Sequence, residues 1–84
     1  MLDLITIGEE LRRRRKGAKL TQRALAERAR VGRATIAALE RGRLAELGFN
    51  KLMSLLAVVG ADLRIIEENR NRPTLEDLMG EGRA

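Results

Sequence analysis

Cysteine and histidine are both missing from this chain. Without thiols there is no disulfide framework and no thiolate metal site. Without imidazole, a metal would have to rely on carboxylates, and general acid–base chemistry loses its commonest agent. No pair of carboxylates stands at a spacing that suggests catalysis. These absences argue against an enzyme and give no reason to expect a cofactor. Tyrosine and tryptophan are absent too, which leaves Phe49 as the one aromatic side chain. Binders of single-stranded nucleic acid stack bases on aromatic platforms, so that class is disfavoured. No apolar run is long enough to span a bilayer. The opening Met-Leu-Asp-Leu-Ile-Thr-Ile-Gly is too short and too acidic for a secretion signal. A cytoplasmic location with no membrane partner is the expectation.

What is present is positive charge, unevenly placed. The chain has 84 residues, enough for one small domain whose single core is marginal, so self-association would help it. The net charge of +5 hides a division. Residues 9–43 carry twelve Arg or Lys against four Glu, whereas residues 44–84 carry five against seven Asp or Glu. One half is suited to a polyanion and the other is not. Fourteen of the basic residues are arginine and three are lysine. The planar guanidinium fork suits phosphates and guanine edges better than an ammonium does.

Several helix signals run along the chain. Thr6-Ile7-Gly8-Glu9 has the form of a capping box, and a first helix is expected from there to about Lys16. Ile7 and Leu11 would point inward, with Gly17 as the stop. The five consecutive positive charges at residues 12–16 are either a solvated face or a source of phosphate contacts. Thr21 can cap a second helix over residues 22–29, with Leu25, Ala26 and Ala29 inward. A third helix is expected over residues 33–41, with Gly32 before it, Ile36 and Leu39 on its core face, and Gly42 in a left-handed closing position. Helices this short are unstable alone and must pack on one another. A fourth helix, residues 48–59, is apolar on more than one face, which suggests a second buried surface and a second copy of the chain as its partner. Gly60 stops it. Residues 62–68 have strand character, with Leu63 and Ile65 on one face. A lone strand leaves its backbone unpaired, so pairing with the same segment of another protomer is expected; the alternative is an extended tail folded over the core. Residues 69–73 are polar and turn-prone. The division is thus residues 1–68 as the folded domain and residues 69–84 as a flexible tail, whose Leu75, Leu78 and Met79 await a partner.

Residues 20–42 carry the strongest functional signal. Two helices meeting steeply need a small residue at the crossing, and Ala26 is placed to supply it. The outer side of the third helix then presents Arg33, Ala34, Ala37 and Ala38. An alanine-rich surface has low relief and fits deep into a groove, and Arg33 at the tip could reach guanine O6 and N7.

The combination Leu20-Thr21-Gln22, Leu25-Ala26, Val31, Thr35-Ile36, Leu39-Glu40 and Gly42 resembles the helix-turn-helix domain of the Cro/repressor (XRE) class, over residues 7–59. The resemblance implies a mainly α, lambda-repressor-like DNA-binding fold of four to five helices, here with one C-terminal β-strand pairing across a homodimer. It implies backbone contact by Gln22 and base reading by Arg33, Ala34 and Ala38. Thr35, Arg41 and Arg43 would lie near phosphates, and Glu40 would tie the third helix to the body. Two positions depart from the pattern. Arg30 stands where the family usually has a turn glycine, and a left-handed backbone there would cost an arginine about 1 kcal/mol. Gly32 stands where serine often caps the third helix, a tolerable exchange.

The fourth helix, Gly-Ala-Asp-Leu-Arg-Ile-Ile and Arg72-Pro73-Thr74-Leu75-Glu76-Asp77-Leu78 are similar to HipB-type antitoxins. That similarity implies a dimeric, nucleoid-associated repressor of its own operon that binds double-stranded operator DNA and a HipA-like kinase toxin. Dimer contacts would come from Phe49, Leu63, Ile65 and Ile66, and toxin contacts from Leu75, Leu78 and Met79. A free-standing phage-like or metabolic repressor is the alternative within the class. A protein-interaction module without DNA binding is the alternative outside it.

Overall fold

A computed structural model describes residues 2–67. The expectations placed on the tail, including Leu75, Leu78 and Met79, lie outside the described residues. Four helices follow one another: α1 (Leu4–Gly17), α2 (Gln22–Ala29), α3 (Arg33–Glu40) and α4 (Phe49–Val58). The architecture of the described part is helical, with α1 and α2 both packed on α3 and α4 packed on α2.

The helix starts follow local chemistry. Thr21 caps α2 as its sequence predicts, its hydroxyl accepting from the Ala24 N–H at 3.0 Å. The first helix begins earlier than the capping box suggests. Asp3 is its cap, and its carboxylate accepts from the Thr6 N–H at 2.8 Å. That hydrogen bond to Thr6 holds the Asp3 carboxyl below its ordinary pKa. The earlier start brings Leu4 into the helix, where it packs against both apolar clusters.

The four helix ends share one device. In each, an N–H beyond the helix reaches back five residues: Leu20 to Arg15, Val31 to Ala26, Arg43 to Ala38 and Ala61 to Leu56, at 2.8–3.2 Å. Such a closure requires a left-handed residue just before the donor. Gly42 and Gly60 fill that place at φ 72°. Lys19 and Arg30 fill it at 58° and 57°. The turn at Arg30 therefore keeps the left-handed geometry without its usual glycine. The first helix runs through Gly17, and its left-handed residue is Lys19.

The main core joins Leu11, Leu25, Ala29, Val31, Ile36, Leu39 and Leu55. A smaller cluster of Ile7, Leu52 and Leu56 takes in Met53 and Leu63 at its edge. The backbones of α1 and α3 come close together at Gly8. A Cβ there would lie 2.0 Å from the Leu39 carbonyl oxygen, so α1 can approach α3 only because position 8 has no side chain. Ala26 packs against the main core, and Gly8 is a second position where a small residue lets helices meet. Residues 61–67 are neither helical nor paired as a strand within the chain. Leu63 folds back on the small cluster while Ile65 and Ile66 are exposed, so Leu63 and Ile65 do not share one environment here.

Candidate nucleic-acid interface

The second and third helices meet through their inward faces. Leu25 from α2 and Ile36 and Leu39 from α3 are fully buried. Together with the approach of α1 at Leu39, this holds the inner side of α3. Its opposite side carries Arg33 and Ala34, both exposed, and Ala37 and Ala38, both half-buried. Ala34, Ala38 and Arg41 stand at i, i+4, i+7, one stripe along the helix and its end. Thr35 is half-buried, and Arg41 and Arg43 are exposed just beyond the helix. No side chain caps the start of α3, because Gly32 has none to offer.

A buried ion pair fixes this helix to the body. The Arg15 guanidinium donates to both Glu40 oxygens, Nε to Oε2 at 2.7 Å and Nη2 to Oε1 at 2.8 Å. Its third nitrogen donates to the Leu20 carbonyl at 2.8 Å. The Gln22 amide donates to Glu40 Oε1 at 3.1 Å. One carboxylate thus joins the end of α3 to α1 and to the start of α2. Burial pushes the Glu40 pKa up, but hydrogen bonds from Arg15 and Gln22, with the charges of Arg15 and Arg12, outweigh it and leave the carboxyl below its ordinary value. The hydrogen bond to Glu40 likewise raises the Arg15 pKa.

The basic run at residues 12–16 is divided by this packing. Arg15 turns inward. Arg14 Nε donates to Glu10 Oε1 at 2.9 Å and its Nη1 to the Gly60 carbonyl at 3.5 Å. Arg13 also pairs with Glu10, which holds the Glu10 carboxyl below its ordinary pKa and raises that of Arg13. Arg12 and Lys16 line a cleft shared with residues next to α3, and Arg13 borders the neighbouring hollow with them.

Of the residues singled out for DNA, the structure gathers Arg33, Ala34 and Ala38 on the outer side of α3. Gln22, Arg41 and Arg43 lie around one cleft beside it. Gln22 is half-buried and oriented by Glu40 rather than standing free. Arg15 was not legible as the partner of Glu40. Its only sequence signal is that Gly8, Leu11 and Arg15 share one helical face. Phe49, Ile65 and Ile66 are exposed, at 68%, 103% and 80%. Among the described residues, no acidic cluster could hold a metal ion, and no helix is long and apolar enough to cross a membrane.

Two helices in this relation, the second buried through Ile36 and Leu39 and exposing Arg33 and Ala34, form a helix-turn-helix unit. A family model described as a helix-turn-helix domain matches residues 5–66. The chain belongs to the helix-turn-helix domain family, a class of DNA-binding domains. Comparison with curated proteins returns no match.

Proposed function

We propose that this protein is a dimeric, sequence-specific repressor that inserts α3 into the major groove of duplex DNA. The observation that carries the reading is the two-sided character of α3. Ile36 and Leu39 are fully buried, and the opposite face is an exposed arginine followed by low-relief alanines. Arg33 reads a guanine edge, Ala34 and Ala38 admit the groove wall, and Gln22, Thr35, Arg41 and Arg43 hold phosphates. Arginine–phosphate contact supplies much of the affinity and makes it steeply salt-dependent.

Dimer formation in this reading uses the exposed Phe49, Ile65 and Ile66, together with Leu63, through pairing of residues 62–68 from two protomers. The core is small, and a second copy would cover apolar groups that one chain leaves in water. The finer reading is an antitoxin that represses its own operon from the nucleoid and binds a HipA-like kinase toxin through Leu75, Leu78 and Met79. It is supported by the sequence of residues 60–66 and 72–78. A kinase-like toxin encoded beside the gene would favour it over a free-standing repressor.

Selection of bound duplexes from a random pool tests the reading. The expected product is an inverted repeat whose half-sites lie about one helical turn, roughly 34 Å, apart. A pool that shows no enrichment at low salt would exclude sequence-specific DNA binding. Enrichment of single, unpaired sites would exclude the dimer.

A further inference from the structure

We propose that α1 carries half of a phosphate-binding cleft, with Arg12 and Lys16 gripping the same stretch of DNA backbone that Gln22, Arg41 and Arg43 hold from the other side. This inference rests on the DNA-binding reading of α3 and adds a surface to it.

Residues 12–16 are four arginines and one lysine. Sequence alone treats them as equivalent. The structure gives three of them other partners. Arg13 and Arg14 are tied to Glu10, and Arg15 is locked into Glu40 with only 10% of its side chain exposed. Arg12 and Lys16 remain, four residues apart and therefore on one face of α1. That face is one wall of a cleft whose other walls are Gln22 at the start of α2 and Arg41 and Arg43 beyond the end of α3.

The electrostatics of the cleft favour an anion. Beneath it the Arg15–Glu40 pair is internally neutral. Arg12 lies near enough to Glu40 for its charge to help lower that carboxyl's pKa. Around the rim stand Arg12, Lys16, Arg41 and Arg43, opposed by one carboxylate, Glu9. The stripe Ala34, Ala38, Arg41 leads from the reading face of α3 into this cleft. A duplex seated on α3 therefore brings its sugar–phosphate strand along the wall formed by α1. The occupant is a nucleic-acid backbone rather than a small anion, because the positive groups are spread around an open trough instead of converging on one point.

Glu9 gives the proposal a sign that a general attraction would lack. It sits one helical turn before Arg12, in the path of the phosphates. Its neutralisation should tighten binding.

The test measures affinity for the selected duplex over a range of salt, with the full chain. Arg12→Ala/Lys16→Ala should lower the slope of log affinity against log salt by about 1.8, two phosphate contacts at roughly 0.9 each. Arg14→Ala removes one charge from the other side of α1, where Arg14 faces Glu10 and the Gly60 carbonyl, and should leave the slope nearly unchanged. Glu9→Gln should strengthen binding without raising the melting temperature. Should the alanine pair unfold, Arg12→Gln/Lys16→Gln keeps helix-forming polar residues at both positions and carries the same expectation. An equal slope change per charge removed in Arg14→Ala, or none in Arg12→Ala/Lys16→Ala, would overturn the α1 cleft while leaving the reading of α3 intact. Failure of the unaltered protein to bind any duplex would remove both.

Discussion

The guanidinium of Arg15 closes on the carboxylate of Glu40 as a two-pronged fork, at 2.7 and 2.8 Å, with 10% and 3% of the two side chains exposed. Removing one member of a buried pair strands the other's charge, which costs about 3–5 kcal/mol. Glu40→Ala is therefore expected to lower the thermal midpoint by well over ten degrees, since about 1 kcal/mol moves a domain of this size by roughly 4–8 °C. Arg15→Met/Glu40→Leu should recover much of that loss. Calorimetry of the three proteins checks it, and a Glu40→Ala midpoint within a few degrees of the parent would contradict the anchoring role.

The same carboxylate sets part of the acid stability. Its pKa in the folded protein lies below the ordinary 4.5. The folded state thus binds its proton less readily than the unfolded chain does. Its contribution is complete above about pH 4.5 and is lost as pH falls through the lower folded value. Asp3 and Glu10 are shifted in the same direction. Glu40→Gln should accordingly flatten the acid limb without abolishing it. Urea midpoints between pH 3 and 7 report this, and an unchanged limb would show that Glu40 titrates alike in both states.

Gly8 and Gly17 lie in one helix but should respond oppositely to alanine. At Gly8 the new methyl would meet the Leu39 carbonyl oxygen at 2.0 Å. Separating α1 from α3 to admit it costs on the order of 3 kcal/mol. At Gly17 nothing lies within 4 Å, and alanine restricts the unfolded chain, a gain of about 0.4–1 kcal/mol. Melting curves of the two variants should fall on opposite sides of the parent.

Arg30 adopts a backbone that favours glycine, φ 57° and ψ 43°. Arg30→Gly is expected to stabilise the fold by up to about 1 kcal/mol, the left-handed penalty offset in part by glycine's greater freedom when unfolded. Equilibrium unfolding measures this, and a destabilised variant would mean that the arginine side chain contributes packing that outweighs its backbone cost.

How far the sequence reaches depends on whether a signal is local. The second and third helices are legible because Thr21, Gly42 and the inward spacing of Leu25, Ile36 and Leu39 all act within a few residues. The start of α1 is ambiguous because Asp3 and Thr6 are both good caps, and the packing of Leu4 decides between them. The left-handed residue that closes the end of α1 is Lys19 rather than Gly17, because the five-residue closure Leu20 to Arg15 outweighs the preference for glycine. The inward turn of Arg15 depends on Glu40, distant in sequence, and a run of like charges gives no hint of which member turns. Gly8 reads as an ordinary member of a capping box until the Leu39 backbone is placed against it. A strand over residues 62–68 needs a second strand to pair with, and the described residues contain none.

Sequence-specific binding in the proposed reading turns on Arg33, at the tip of α3, reaching a base in the major groove. Duplex selection with the parent and with Arg33→Ala locates the guanine whose preference is lost. Replacing that guanine by 7-deazaguanine removes the N7 acceptor. The parent should then lose about 1–3 kcal/mol of binding, roughly five- to 150-fold, and Arg33→Ala should lose nothing further. Equal losses in both proteins, or no loss in the parent, would contradict direct reading by this helix.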